Sequence, residues 1–403
     1  MTHEGIGSRL AQADSRQQWW QLALEMAETL SGADIAYAVD GPASLLLQGV
    51  EVAELAELTL SVQWDQFNLA REILAPGAPV VEESDQAYFR CEQPVRILCR
   101  FNYVVATDPD RLMVERDGCH LWAISVLAYR RRAVAGDPLV PLINRHLARL
   151  QAELNRQNAL AWTANPYDAW VNRYGEPGAA AEKLLKHPKR RLAALWPHLG
   201  DIRGSRIVNL MGSQGSKAVA LALLGAQVTV VDVSPENARY AQELAAAAGV
   251  ALRYVVSDVL ALPADELTAD YDLALMELGI LHYFVDLDPL FKVVTDLLRP
   301  GGRLVLQDFH PVSTKLIASN GRKHKVVGNY FDSRVMDTQV AYSGYLSEGA
   351  AAPRVRLRKW TLGEVVTAVA SAGLCLRTLE EEPNHKLDDT GLPKTFTLVA
   401  VKL

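Results

Sequence analysis

Apolar runs of strand length alternate with amphipathic stretches through the last 240 or so positions of the chain, and the punctuation between them is glycine, proline or an acid. Ile207 to Met211 has the length and apolar character of a buried strand, and Ala218 to Leu224 reads as a helix packed on the sheet. Gln227 to Val231 is a second strand, closed by Asp232. The segment from Leu252 gives a third that ends at Asp258, and Tyr271 to Glu277 a fourth. Leu297 to Asp308 reads as a helix end, a Pro-Gly-Gly turn and a fifth strand. Strands alternating with helices predict an α/β unit with a parallel sheet covered on both faces.

The N-terminal third has a different cadence. Arg16 to Leu30 is an amphipathic helix stopped by Ser31-Gly32, Ala36 to Val39 a strand, and Asp40 to Ser44 a turn feeding a helix over Leu45 to Gly49. Leu58 to Gln63 alternates as a strand, Asp65 to Leu74 is a helix, and strands follow at Pro94 to Tyr103 and Arg111 to Glu115. Between the two patterns lies a polar stretch with leucines at 142, 147, 150 and 154, a connecting helix. The expected organisation is therefore a smaller α/β domain over 1–138, a linker helix over 139–164 and a larger α/β domain over 165–403.

Candidate chemistry starts at the first glycine turn. Gly212-Ser213-Gln214-Gly215 lets the backbone turn tightly beneath a ligand, but it lacks the Gly-x-Gly-x-x-Gly spacing that seats a pyrophosphate, which argues against NAD. Asp232 follows the first glycine by about twenty residues, where a carboxylate can accept from both hydroxyls of a ribose. In this order and spacing the blocks resemble the class I S-adenosylmethionine-dependent methyltransferases, over roughly Asn165 to the C-terminus. The resemblance implies a Rossmann-like seven-stranded sheet, with Thr395 to Lys402 as its terminal antiparallel strand, and S-adenosylmethionine as cofactor. It implies Gly212, Ser213 and Gly215 beneath the methionine part, Asp232 with Val233 at the ribose, and Asp258 with Val259 near the adenine. Glu277 and Leu278, closing the fourth strand, complete the implied cofactor set. Where most members carry an acid shortly before the first glycine, this chain has Asn209, which keeps a hydrogen-bonding oxygen and loses the charge. Tyr167, Trp170 and Tyr174 fall on one face of a helix and either cover the methionine end or pack as a core stripe. The bland reading of the same blocks is a sheet whose glycines only pack and whose acids cap helices; Ser234 and Pro235 do look like a helix start.

Methyl transfer asks for a positioned acceptor and, where the acceptor is protonated, a base. Ligands of such sheets bind beyond the carboxyl ends of the strands, so the candidates are His282 after the fourth strand and Asp308 and His310 after the fifth. Histidine is the side chain best suited to take a proton near neutral pH. The insertion from Val312 to Pro353, with Lys323, His324, Lys325, Asn329, Tyr330 and Asp332, favours a small polar or anionic acceptor, joined by Asn384-His385-Lys386. No metal is expected.

In the N-terminal domain, a strand, a glycine turn at Gly41 to Ser44 and an acid-bearing strand resemble the minimal nucleotidyltransferase fold. That family places two carboxylates on the second strand to hold magnesium. Here Glu57 and Thr59 stand at those positions, and a single acid is a poor magnesium site, so the resemblance implies a catalytically inactive domain that binds a substrate or partner. An unrelated α/β module is the alternative.

Composition changes this picture little. With 403 residues and 49% hydrophobic content the chain can bury two cores. A formal charge of −6 leaves no electrostatic footprint for nucleic acid or an anionic membrane. The basic runs at Arg130 to Arg132, Lys186 to Arg191 and Arg322 to Lys325 read as solvated faces. Cys91, Cys99, Cys119 and Cys375 form neither a disulfide framework nor a zinc motif, and no run approaches the ~18 apolar residues of a membrane span, so a cytoplasmic location is expected. Two function classes remain: a methyltransferase acting on oxygen or nitrogen of a small molecule, or a cofactor-binding or regulatory protein that has lost catalysis. Asn209 and Thr59 sustain the second.

Overall fold

The computed structural model describes residues 4–92, 94–320, 323–384 and 391–403, and the chain divides into two units, Met1–Arg149 and Leu150–Leu403. In the first, α1 (Glu4–Gly32) precedes β1 (Tyr37–Asp40), α2 (Gly41–Leu47), β2 (Leu58–Val62) and α3 (Phe67–Leu74). There follow β3 (Val81–Glu82), β4 (Gln86–Arg90), β5 (Val95–Arg100), β6 (Arg111–Arg116), β7 (Cys119–Ile124) and α4 (Val126–Arg132). The strands form one mixed sheet in the order β3-β4-β5-β2-β1-β7-β6. Trp20, Leu30, Leu60, Phe89 and Ile97 lie at its fully buried centre. The helix expected from Leu45 starts four residues earlier, because Asp40 caps it: one carboxylate oxygen accepts from Gly41 N at 2.7 Å. The other oxygen accepts from the Ser61 hydroxyl at 2.6 Å and pairs with Arg100 at 2.9 Å. Strands β4 and β7 were not foreseen.

α5 (Val140–Trp162) straddles the boundary between the units. In the second unit, α6 (Pro166–Tyr174), α7 (Pro177–Lys186) and the single turn α8 (Pro188–Arg191) each open on a proline, whose missing N–H costs nothing in a first turn. After α9 (Trp196–Leu199) the alternation read from the sequence appears: β8 (Arg206–Leu210), α10 (Ser216–Leu223), β9 (Gln227–Asp232), α11 (Pro235–Ala247), β10 (Arg253–Val256), β11 (Tyr271–Glu277), α12 (Asp288–Leu297) and β12 (Leu298–Phe309). The expected Pro-Gly-Gly turn is absorbed into the start of β12. The insertion holds a hairpin, β13 (Ile317–Asn320) with β14 (Lys323–Val326), and β15 (Val335–Gln339), which pairs with β16 (Arg354–Arg358). α13 (Leu362–Ser371), held by a Thr361/Glu364 capping box, leads to β17 (Leu374–Pro383) and β18 (Pro393–Lys402).

The second sheet runs β10-β9-β8-β11-β12-β18-β17, with its first five strands parallel, β18 antiparallel to them, and β17 antiparallel to β18 and so running with the first five. This is the seven-stranded Rossmann-like arrangement. Strand order reverses direction between β8 and β11, which opens a crevice at their carboxyl ends. Among the described residues, no helix is long and apolar enough to cross a membrane.

Candidate functional site

The crevice is a cavity of about 450 Å³ floored by the loop after β8. That loop turns on three left-handed residues, Met211 (φ 53°), Ser213 (φ 49°) and Gly215 (φ 72°). Such conformations are uncommon outside glycine and concentrate at functional loops. Gly212 serves a different purpose from the one expected. Its φ is ordinary, but a Cβ there would lie 2.5 Å from Asn209 Oδ1 and 2.8 Å from Val230 Cγ1, so it lets the loop lie flat on the sheet. At Gly215 both constraints meet, since a Cβ would fall 2.6 Å from that of Ala241.

Asn209, expected at the cofactor, does not reach the cavity. It is fully buried under Gly212, its Nδ2 donates to Leu275 O at 3.3 Å, and its Oδ1 has no hydrogen-bond partner among the described residues. The remaining loop and strand-end residues line the cavity as expected: Gly212, Ser213, Asp232, Val233, Asp258, Val259, Glu277 and Leu278. Gly215 stands one residue behind the lining, between Gln214 and Ser216.

Asp232 closes β9 and is almost wholly buried. One oxygen accepts from Ser213 N at 3.0 Å, the other from Ser234 N and Asn237 Nδ2, each at 3.0 Å. Burial pushes its carboxyl above the usual range, against those hydrogen bonds. Trp170 Nε1 donates to Asn237 Oδ1 at 2.7 Å, so the α6 indole fixes the amide that fixes the acid. Asp258 stands just past β10, caps a short turn by accepting from Leu260 N at 2.9 Å, and accepts from Asn155 Nδ2 at 2.6 Å.

The α6 aromatics divide. Trp170 and Tyr174 line the cavity, whereas Tyr167 turns away: its hydroxyl donates to Glu243, and its ring packs on Tyr240 and under Arg239. All three partners belong to α11, so the Tyr167 side of α6 meets α11 instead of the crevice.

Of the candidate bases only His282 lines the cavity. Burial lowers its pKa and keeps the ring neutral, with Asp308 opposing that shift and Lys359 adding to it. Asp308 itself clamps the neighbouring loop, accepting from Gly279 N at 2.6 Å, Phe309 N at 2.7 Å and Leu281 N at 3.3 Å. His310 is 3% exposed with both nitrogens engaged: Nδ1 accepts from Val312 N at 3.1 Å, and Nε2 faces Glu381 Oε1 at 2.6 Å. A ring so held fixes the chain after β12, and neither Asp308 nor His310 reaches the crevice.

Sequence reasoning missed several lining residues. Asn155, Asn158, Ala159 and Trp162 follow helical spacing on α5, a stripe carrying two polar amides beside the leucines that had marked it as a connector. Lys217, seen only as the residue after the glycine loop, pairs with Glu277 inside the cavity. Burial and then the Arg191 guanidinium bring the Lys217 pKa down to about 7. Arg173 and Arg191 also line this end. Of the insertion only Ala341 does; Lys323, His324, Lys325, Asn329, Tyr330 and Asp332 stand elsewhere. His385 and Lys386 lie outside the described residues.

In the first unit, Glu57 is held by Arg90 at 3.2 Å and Arg96 at 3.1 Å, and Thr59 is buried beside Arg96.

Comparison with known proteins places a family on this crevice. Residues 211–306 match the methyltransferase domain family. An uncharacterized protein of Mycobacterium tuberculosis is 34% identical over 111 residues, 27% of this chain and 37% of that protein. A ubiquinone biosynthesis O-methyltransferase of Xanthomonas oryzae is 31% identical over 106 residues, 26% of this chain and 44% of that enzyme. The chain thus spans less than half the length of these curated relatives. Among solved structures, a putative S-adenosylmethionine-dependent methyltransferase from Listeria monocytogenes aligns with 53% of this chain and 97% of its own, at 18% identity and a TM-score of 0.43.

Proposed function

We propose that the second unit is an S-adenosylmethionine-dependent methyltransferase acting on an oxygen or nitrogen of a small polar molecule. The observation that carries this reading is the convergence of Asp232, Asp258 and the glycine loop, from three consecutive strand ends, on one cavity. The residues fit the cofactor. Asp232 has oxygen lone pairs left for the ribose hydroxyls, Asp258 and Asn155 offer acceptor and donor for an adenine, and Lys217 with Glu277 offers opposite charges to an amino-acid end. Asn209, sealed beneath Gly212, leaves the ammonium to Glu277.

When bound, the cofactor supplies a methyl group on a sulfonium already activated for transfer. This chain's residues then have three tasks. Trp162, Trp170 and Tyr283 exclude water, the Asp308-clamped loop positions His282, and the neutral His282 ring accepts the acceptor's proton as the new O–C or N–C bond forms. Titration calorimetry with S-adenosylmethionine and its demethylated product tests the reading: saturable binding of both is expected, and no binding of either removes it.

For the first unit we propose a nucleotidyltransferase-like domain without nucleotidyl transfer, serving to bind a substrate or partner. What supports this is the β1–α2 glycine turn beside β2, with the one acid at the start of that strand, Glu57, already neutralised by two arginines. No pyrophosphate is expected from any nucleoside triphosphate with magnesium; release that disappears in Glu57→Ala would refute the assignment.

A further inference from the structure

The cavity does not end at Arg191. Arg191, Tyr174 and Ser216 form a shared wall with a second cleft of about 500 Å³, bounded by α7, α8 and α11. Arg191 is set in that wall by a hydrogen bond from its Nε to Ser216 Oγ at 2.9 Å, and its guanidinium lies over the Tyr174 ring at 5.3 Å. The cleft beyond is lined by Lys183, Lys186, His187 and Arg190, and no carboxylate is among its lining residues. None of Lys183, Lys186, Arg190 and Arg191 has a carboxylate at ion-pair distance among the described residues. This differs from the chain's habit, since Arg203, Arg253, Arg299 and Arg334 each hold an acid, and the net charge is −6. A positive cleft on an acidic chain is a local field, and fields in concave sites concentrate ions of the opposite sign.

The first cavity's charges point the same way. Its lining carries three cations, Arg173, Arg191 and Lys217, and three carboxylates, Asp232, Asp258 and Glu277. Glu277 holds Lys217, and Asp232 and Asp258 are hydrogen-bonded at the far end, so Arg173 and Arg191 face the crevice without an acid. The Arg173 guanidinium lies over the rings of Tyr174 at 4.9 Å and Tyr345 at 4.4 Å. A bound cofactor adds a sulfonium, and its amino-acid end brings one carboxylate and one ammonium to Lys217 and Glu277, so Arg173 and Arg191 are left without an anion of their own.

We propose that the methyl acceptor carries an anionic group, a carboxylate or a phosphate, that seats on Arg191 with Arg190 and Lys186 behind it, spanning from the crevice into the cleft. Arginine presents a planar fork of donors that suits both anions. The inference rests on the methyltransferase reading of the crevice and deepens it by naming the acceptor's chemistry. A nucleic-acid strand is the less favoured occupant, because the cleft shares its wall with the cavity and the chain carries a net charge of −6.

The test uses the full chain saturated with S-adenosylhomocysteine, titrated at constant ionic strength with pyrophosphate and, separately, with citrate. Saturable binding of at least one anion is expected. In Lys186→Gln/Arg190→Gln its dissociation constant should rise by about tenfold or more, while that of S-adenosylhomocysteine stays within about twofold. Pyrophosphate alone saturating identifies a phosphate, and citrate alone a carboxylate. The proposal is overturned if neither anion saturates, if the double substitution changes neither, or if a single-stranded RNA oligonucleotide displaces the anion with higher affinity. Failure of S-adenosylhomocysteine to bind the unmodified protein is a separate result and removes the cofactor reading instead.

Discussion

His282→Asn is expected to lower turnover by about 10² or more while leaving affinity for S-adenosylmethionine nearly unchanged. Asparagine keeps a polar group of similar reach and loses the basic nitrogen. Because burial lowers the His282 pKa, the ring stays neutral, and able to accept a proton, to a pH below the ordinary histidine value. The sign for this group is then fixed: the contribution of His282 to turnover is kept at neutral and alkaline pH and lost on the acid side, as protonation at the lowered pKa removes the base. His310→Asn, with both nitrogens of the native ring already engaged, should act on stability and much less on turnover. Near-normal turnover in His282→Asn across pH 6 to 9 with the true acceptor would leave proximity and desolvation to carry the reaction.

The second large effect belongs to Asp232. Asp232→Ala should weaken cofactor binding by ~2 to 4 kcal/mol, because two ribose hydroxyls are left in a water-poor site without their acceptor. The acid also receives hydrogen bonds from Ser213, Ser234 and Asn237, so the alanine variant has to be shown folded by its circular dichroism and melting curve. Asp232→Asn separates the two roles. It keeps an acceptor oxygen for the loop and should lose less affinity than the alanine. An unchanged dissociation constant in folded Asp232→Ala would remove the ribose assignment.

The parallel sheet was legible because three of its strands are followed by an acid, Asp232 and Glu277 closing mostly buried runs and Asp258 standing just past β10. The positions of Asp232, Asp258 and the glycine loop followed from the same punctuation. Side-chain direction was not legible. Asn209 and Gly212 lie three residues apart, and nothing in that spacing tells that Gly212 lies on top of the amide and shuts it off from the crevice. His282 and His310 look alike in sequence, each just past a strand; Glu381, which occupies one of them, lies 71 residues further along the chain. Likewise Lys217 looked like an ordinary first-turn lysine, because Glu277 comes to it only through the β8–β11 pairing. In the first unit, β4 and β7 escaped notice because β4 alternates over only five residues bounded by Gln86 and Arg90, and β7 opens on two exposed residues, Cys119 and His120.

The cavity-lining stripe on α5 bears on how this catalytic module travels. A polypeptide beginning at Asn165 would retain all seven strands of the sheet, and by topology alone it would count as intact. It would lack Asn155, whose amide steadies Asp258, and Asn158, which exchanges hydrogen bonds with the Arg356 backbone at 2.8 and 2.9 Å. It would also lack Ala161, whose carbonyl the Tyr342 hydroxyl meets at 2.6 Å. The smallest heritable piece that preserves the ligand chamber therefore starts inside the long helix. Fusions, permutations or natural rearrangements that cut at the visible change in sequence pattern would transmit the scaffold and leave one wall of the chamber behind.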